Sequence, residues 1–403
     1  MRFSFLILSI QICAYATAGI GKQTPIDEND GTWGILRWKR QVFTGEKYKW
    51  KEGINYKFDE DTSEHIKKEF TRAAKAWSQD TCVDIRLNSS GNEGLFVTTL
   101  YDACASDVGR VGEWQNLYLG KSCQDFGGMA HELGHALGLL HTMSRRDRDD
   151  YIFVDLTNIK LEYAEEFEKH EKTKFYGQRY DFGSIMHYRQ RSGFSTLDYL
   201  IIPVDSKYKD TLGSKMISFT DITMINRHYN CAEKCKSASP DQCKNGGYPH
   251  PRNCSRCLCP SGYGGIDCNE RPSDGCGLEL EATETWQNLT IDIQNEDSNK
   301  YLDGYKKCNY WIKSPEKTRI KIRLEDLRFN ATAGCTNNGI EINVKKDKTL
   351  TGYRFCYTNF EEVVLSPRFN IAPIIAYSRI KDTGTAIISY RYVKTSKDDE
   401  QQD

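Results

Sequence analysis

The run His131-Glu132-Leu133-Gly134-His135-Ala136-Leu137-Gly138-Leu139-Leu140-His141 sets three imidazoles and a carboxylate close together in the chain. Histidines four residues apart project from one face of a helix, about one turn apart, so His131 and His135 can share one metal ion. Gly138 tolerates the left-handed backbone that lets a chain leave a helix sharply. That turn returns His141 as a third ligand. Three neutral imidazoles leave an open position for water, the arrangement of a catalytic zinc site, and one Zn2+ per chain is expected. Glu132 is placed beside the metal to take a proton from that water and pass it to a leaving amine. The metal brings the water's pKa toward neutrality and polarises a carbonyl, so peptide hydrolysis is the chemistry the set serves. A helix with incidental histidines rarely carries the whole pattern.

Further on comes Ser184-Ile185-Met186-His187-Tyr188. Met186 fits a tight turn beneath the metal, its thioether packed as an apolar floor and not as a ligand. Tyr188 can reach the metal, then swing away and donate its hydroxyl to a developing oxyanion. Alone, Met186 reads as a core methionine and Tyr188 as a half-buried aromatic; the metal helix upstream favours the functional reading.

These residues need a scaffold. Ile54, Tyr56 and Phe58 alternate as in a half-buried strand, and Val83, Ile85 and Leu87 do the same. Ile66, Phe70, Ala73 or Ala74, and Trp77 recur at helical spacing behind Thr62 or Ser63 as N-cap. Leu95 to Leu100 and Asn116 to Leu119 are further strands. The mixture predicts an α+β domain. After Tyr229 the composition shifts. Seven cysteines crowd into Cys231–Cys268, a segment too small for a large core and dependent on disulfides. From Cys276 to Tyr392 short alternating runs between Asn, Asp and Gly predict an all-β domain, followed by a disordered polar tail at 393–403.

Fifty-five Lys and Arg balance 56 Asp and Glu, which argues against a nucleic-acid partner held by bulk charge. No run of 18 apolar residues occurs, so no spanning helix is expected. Residues 1–18 read as a signal peptide, with Arg2, an apolar run from Phe3 to Cys13 and small residues at Ala14, Ala16 and Ala18. Loss of Cys13 leaves an even number of the 15 cysteines, which fits full pairing in an exported chain. Asn88, Asn288 and Asn330 are glycosylation candidates, whereas Asn253 is crowded by Cys254. Arg37-Trp38-Lys39-Arg40 is a basic processing site that would free Gln41.

With these motifs in view, the stretch Gln41–Cys231 resembles the astacin-family metalloproteases, one branch of the metzincins. The resemblance rests on the histidine motif, on Arg145-Arg146-Asp147-Arg148-Asp149, on Tyr180-Asp181-Phe182-Gly183-Ser184-Ile185-Met186-His187-Tyr188 and on Trp50. The whole is similar to nematode astacins with an EGF-like and a CUB module. It implies a propeptide (19–40), a two-subdomain peptidase domain (41–232), an EGF-like module (233–270) and a CUB sandwich (276–392). The implied function is a secreted zinc endopeptidase acting on extracellular proteins or peptides, with matrix proteins as partners of the downstream modules. It implies disulfides Cys82–Cys231, Cys104–Cys123, Cys276–Cys308 and Cys335–Cys356. Within the EGF-like module it suggests Cys235–Cys254, Cys243–Cys257 and Cys259–Cys268. It also implies a long cleft, with the strand near Asn116–Leu119 flanking it and pairing with an extended peptide.

The sequence departs from the family in places. Thr142 follows the third histidine, where the family places a Glu that pairs with the buried ammonium of the mature terminus. Gln41 can cyclise to a neutral pyroglutamate, which suits a threonine hydroxyl better. Residues 19–40 lack the family's Phe-x-Gly-Asp, leaving Asp27 or Asp30 as stand-ins for its zinc-capping aspartate. Asn338 stands where calcium-binding CUB modules hold Asp, so no strong calcium site is expected. Lys215 falls where relatives place an Arg facing the residue after the scissile bond, and would favour acidic substrates; the alternative is a solvated loop lysine. An adhesive scaffold with a dead protease domain is the competing function. Its mark would be a lost ligand, base or tyrosine, and none is lost.

Overall fold

The alternation at Ile54 and Tyr56 is realised in β1 (Ile54–Phe58), where both side chains are buried. The structure is a computed structural model that describes residues 45–395 except 172, 197, 198, 240 and 359–361. The signal peptide, the propeptide with Asp27 and Asp30, and Gln41 lie outside the described residues. After β1 comes α1 (Glu64–Asp80), N-capped by the Ser63 hydroxyl, with Ile66, Phe70, Ala73, Ala74 and Trp77 on its buried face. There follow β2 (Ile85–Leu87), β3 (Gly94–Thr98), β4 (Cys104–Ser106) and β5 (Trp114–Leu119). The sheet order is β2-β1-β3-β5-β4, parallel except for the β4–β5 pair.

This order corrects one expectation. Leu117, Tyr118 and Leu119 lie in a strand that is paired on both sides, with β3 and with β4, so the strand near Asn116–Leu119 is interior and the edge on this side of the sheet belongs to Cys104–Ser106. Gly109 and Gly112, both with positive φ, turn the chain so that β4 lies back along β5. The Cys104–Cys123 disulfide ties that edge to the segment before the next helix.

That helix, α2 (Phe126–Ala136), carries His131, Glu132 and His135. Asp125 caps it through the Gly128 N–H. Two buried indoles grip its backbone: Trp77 Nε1 donates to Ala130 O at 2.9 Å and Trp50 Nε1 to Ala136 O at 2.8 Å. Trp50, from the start of the described chain, thereby helps fix the end of α2.

The second half holds little regular structure: a hairpin of β6 (Ile152–Val154) and β7 (Ile201–Pro203), then α3 (Phe219–His228). Its loops are held by buried polar groups. The Arg148 guanidinium donates to the Met143 and Phe167 carbonyls, and Arg145 makes two bonds to Asp147 while lying 3.9 Å over the Phe175 ring. The basic-acidic run after His141 is thus scaffolding for the loops behind the third histidine. Cys82–Cys231 closes a loop of 149 residues around these elements, worth about 5 kcal/mol in the chain-entropy view.

Three disulfides, Cys235–Cys254, Cys243–Cys257 and Cys259–Cys268, staple the next segment around β8 (Tyr248–His250) and β9 (Asn253–Leu258). The segment lies against both halves. Arg252 donates to Asp84 at 2.7 Å and to the Val83 carbonyl, and the Tyr248 hydroxyl accepts from Asn226 at 3.0 Å.

The remainder is a β-sandwich. Its strands are β10 (Glu279–Glu281), β11 (Gln287–Ile293), β12 (Lys306–Lys313), β13 (Thr318–Arg328), β14 (Asn338–Ile342), β15 (Tyr353–Phe355), β16 (Val364–Leu365), β17 (Ile371–Ser378) and β18 (Gly384–Lys394). One sheet runs β10-β12-β17-β14-β15 and the other β11-β18-β13-β16. Alternate residues such as Leu289, Ile291 and Ile293, or Ala386, Ile388 and Tyr390, face the core between them. Cys276–Cys308 and Cys335–Cys356 brace it. The tail expectation is corrected at its start: Val393 and Lys394 pair with Arg319 and Thr318, because β13 extends far enough to need partners there. Residues 396–403 lie outside the described residues.

The sandwich does not hang free. One apolar core runs from Phe182, Tyr208 and Leu212 into Tyr353, Phe355 and Ile342. At its polar margin Arg354, 4% exposed, donates to Glu341 at 2.9 Å and to the Ser214 hydroxyl at 2.8 Å. Arg354→Ala leaves the Glu341 charge buried and unpaired. It is expected to destabilise by about 3–5 kcal/mol, whereas the joint change Arg354→Met with Glu341→Leu costs far less. Urea unfolding midpoints of the three proteins check this.

Candidate active site

Helix α2 ends at Ala136, and Gly138, with φ +109°, turns the chain out of it. The Leu139 N–H closes the turn on Gly134 O at 2.9 Å, and the chain then brings His141 back toward the helix. The floor is Met186. A Cβ on Gly134 would lie 2.6 Å from its sulfur, so the thioether packs directly against the helix backbone between His131 and His135. The Thr142 N–H donates to Met186 O at 3.0 Å, which locks the floor to the third histidine.

Two of the imidazoles have their rear nitrogen assigned. His131 Nδ1 lies 2.8 Å from Ile185 O, and His135 Nδ1 lies 2.9 Å from Leu139 O. A carbonyl only accepts, so these Nδ1 atoms carry the proton and the Nε2 atoms present lone pairs. His141 Nδ1 faces the Glu166 carboxylate at 3.6 Å. The Nε2 atoms converge: that of His141 is 3.2 Å from His131 and 3.1 Å from His135. Nitrogens so close and so aimed suit a shared cation. A tetrahedral zinc, with Zn–N of about 2.0–2.1 Å, sets its nitrogens about 3.3 Å apart. The donor set therefore fits zinc. Among the described residues these histidines are the only three His, Cys, Asp or Glu side chains grouped to hold a metal.

Glu132 is buried on the same helix, and the Tyr188 ring stands 4.4 Å from the His141 ring, centroid to centroid. His187 points away from them. Burial holds it down to about 4, so it is neutral; its Nδ1–H donates to Tyr188 O, and Nε2 accepts from the Tyr180 hydroxyl at 2.7 Å. Lys215 is not a solvated loop lysine: it pairs with Asp125, the α2 cap, and Arg379 of the sandwich reaches the same carboxylate at 3.3 Å. Asn88, Asn288 and Asn330 are all exposed.

The family model for the astacin peptidases matches residues 42–230. Zinc metalloproteinase nas-17 of Caenorhabditis elegans is 32% identical over 425 residues, covering 98% of this chain and 95% of that protein. The chain belongs to the astacin family. Zinc metalloproteinase nas-31 of the same organism is 42% identical over 367 residues, 90% of this chain but 59% of the relative. With nas-32 the chain covers 52% of the relative, so it spans little more than half the length of these two astacins. Among solved structures, high choriolytic enzyme 1, a hatching enzyme zinc-protease of Oryzias latipes, is 31% identical, with a TM-score of 0.41 over 44% of this chain and 88% of that one. The family is zinc-dependent, in accord with the donor set here.

Behind His141 lies a cavity lined by Gly138, Thr142, Asp181, Ser184, Asp221 and His228. The family's usual Glu is absent from position 142, yet the cavity keeps a carboxylate. Thr142 donates to Ser184 Oγ at 3.0 Å, and Ser184 donates to Asp221 at 2.5 Å. Asp221 also accepts from the N–H groups of Ile185 and Ser218. Sequence reasoning missed it. The Ser218-x-x-Asp221 spacing signals a capping box, which the structure contains, but nothing local shows that the cap also serves the Met186 turn. Glu166 had no sequence signal.

Burial pushes Asp221 up to about 6, and burial with Lys49 nearby holds His228 down to about 4. Native Asp221 keeps its proton to a higher pH than the unfolded chain does, so its contribution to stability falls as pH rises from about 4 to 6. Native His228 lacks a proton that the unfolded chain binds below about 6.5, so its contribution rises over the same interval. The two oppose each other. Relative to wild type, Asp221→Asn is expected to gain stability from pH 4 to 6.5, by up to about 3 kcal/mol, and His228→Gln to lose it. Thermal midpoints across that range check both signs.

Proposed function

We propose that this chain is a secreted zinc endopeptidase that hydrolyses peptide bonds in extracellular proteins and is activated by a cut after Arg40. The observation that carries the reading is the convergence of His141 Nε2 on those of His131 and His135, at 3.2 and 3.1 Å, with the rear nitrogens of His131 and His135 turned to backbone acceptors. His131, His135 and His141 would hold the zinc. When bound there, zinc supplies Lewis acidity for a scissile carbonyl and for water. Glu132 takes a proton from the attacking water and delivers it to the amide nitrogen as the C–N bond breaks. Tyr188 donates its hydroxyl to the carbonyl oxygen as negative charge grows there. The free edge at Cys104–Ser106 offers main-chain bonds to an extended substrate.

The seven disulfides support an extracellular location. Among the described residues no helix is long and apolar enough to cross a membrane. The disulfide-rich segment at 233–270 is assigned as an EGF-like module and the sandwich at 276–392 as a CUB module, both offering surfaces to matrix partners. Glycans are assigned to Asn88, Asn288 and Asn330. Lys215 and Arg379 share the single carboxylate of Asp125, which leaves a net positive charge beside the metal helix and favours acidic residues after the cut.

Protein cut after Arg40 is expected to cleave a diverse peptide library and to stop when zinc is chelated. Glu132→Ala lowers kcat by about 10²–10⁴ while still binding zinc. Tyr188→Phe lowers kcat by about 10² with little change in KM. Folded, zinc-loaded protein that cleaves nothing would point to the scaffold reading.

A further inference from the structure

Thr351, between β14 and β15, reaches from the sandwich to the segment that carries Met186. Its N–H and hydroxyl donate to the two oxygens of Asp181, each at 3.1 Å. The Asp181 carboxylate is buried and also accepts from the Gly183 N–H at 3.2 Å and from the Thr220 hydroxyl. Gly183 lies directly under Thr351. A Cβ on Gly183 would fall 2.5 Å from Thr351 Cβ and Oγ1, and closer still to its Cγ2. Gly183 is not among the glycines with positive φ, so its own backbone does not require glycine; the nearest atoms a side chain there would meet are those of Thr351.

The contact leads straight to the histidines. Ser184 bonds Thr142 and Asp221, Ile185 O accepts from His131 Nδ1, and Met186 packs under Gly134. Phe182 stacks on Tyr208 at 4.0 Å, and Tyr208 meets Tyr353 of the sandwich at 4.5 Å, so the strap is held from its apolar side as well.

We propose that Thr351 is a positioning residue for the metal site. Acting through Asp181 and Gly183, it fixes the strap whose Ile185 carbonyl orients His131 and whose Met186 forms the floor. The C-terminal sandwich is then a working part of the metal centre and not only a surface for partners. This rests on the reading of the three histidines as a zinc site.

The test is a double-mutant cycle on the full chain, read as the rate at which bound zinc passes to a chromophoric chelator. Thr351→Gly and Gly183→Ala are each expected to speed zinc loss about 10-fold or more, the scale seen when partners of metal ligands are removed. In the double variant the methyl introduced at position 183 occupies the space left by the Thr351 side chain, so the combined effect is at least about threefold smaller than the product of the two single effects, although the hydroxyl bond to Asp181 stays lost. A double variant in which the two effects simply multiply overturns the inference, as does a Gly183→Ala protein indistinguishable from wild type. If Gly183→Ala alone does not fold, recovery of folded, zinc-retaining protein in the double variant supports the inference and failure to recover it overturns it. A wild-type chain that takes up no zinc overturns the metal-site reading, and this inference with it. One zinc in wild type with an unrescued double variant overturns this inference alone.

Discussion

Three imidazole nitrogens held with their lone pairs toward one point are a repulsive arrangement that a folded chain must impose. The imposition comes from behind. Two rings are aimed by backbone acceptors on different parts of the chain, Ile185 O for His131 and Leu139 O for His135, and the Glu166 carboxylate faces the rear of His141. A metal ion turns that repulsion into binding, and the fixed Nδ1 protons keep the front nitrogens free to ligate. Most other features described above serve to keep those three acceptors in place.

The acceptors belong to two halves of the region that bears the histidines. The helix side is fixed by Trp50 and Trp77, whose indoles bond its carbonyls, and by Asp125 at its start. The opposite side has little regular secondary structure and relies on buried polar side chains: Arg148 under the loops after His141, Asp221 under Ser184 and Ile185, Asp181 under Gly183. Such groups stabilise only when fully partnered. For Asp181 the set of partners is completed by Thr351, from a strand connection 170 residues away.

What the sequence made legible follows from range. His131, His135 and His141 are related by helix geometry and one glycine turn, so their spacing alone reveals the site. The Ser63 cap and the Ile66-to-Trp77 stripe are equally local. Interactions between distant segments left no such trace. Asp221 has the spacing of a helix cap, and nothing local marks Gly183 or Arg379; the fold brings the first to Ser184, the second under Thr351 and the third to Asp125. The order of strands in the first sheet was hidden for the same reason. Alternation shows that Asn116–Leu119 is a strand, but not which neighbour covers it.

The outer strand of that sheet is only three residues long and is bound through Cys104 to Cys123. An exposed sheet edge is a template for any extended chain, including another copy of the same protein. Here the template is too short to stabilise a lasting pairing by itself, and the covalent tie stops it from peeling away or lengthening. Copies of this chain are thereby kept from joining sheet to sheet at the face they leave open.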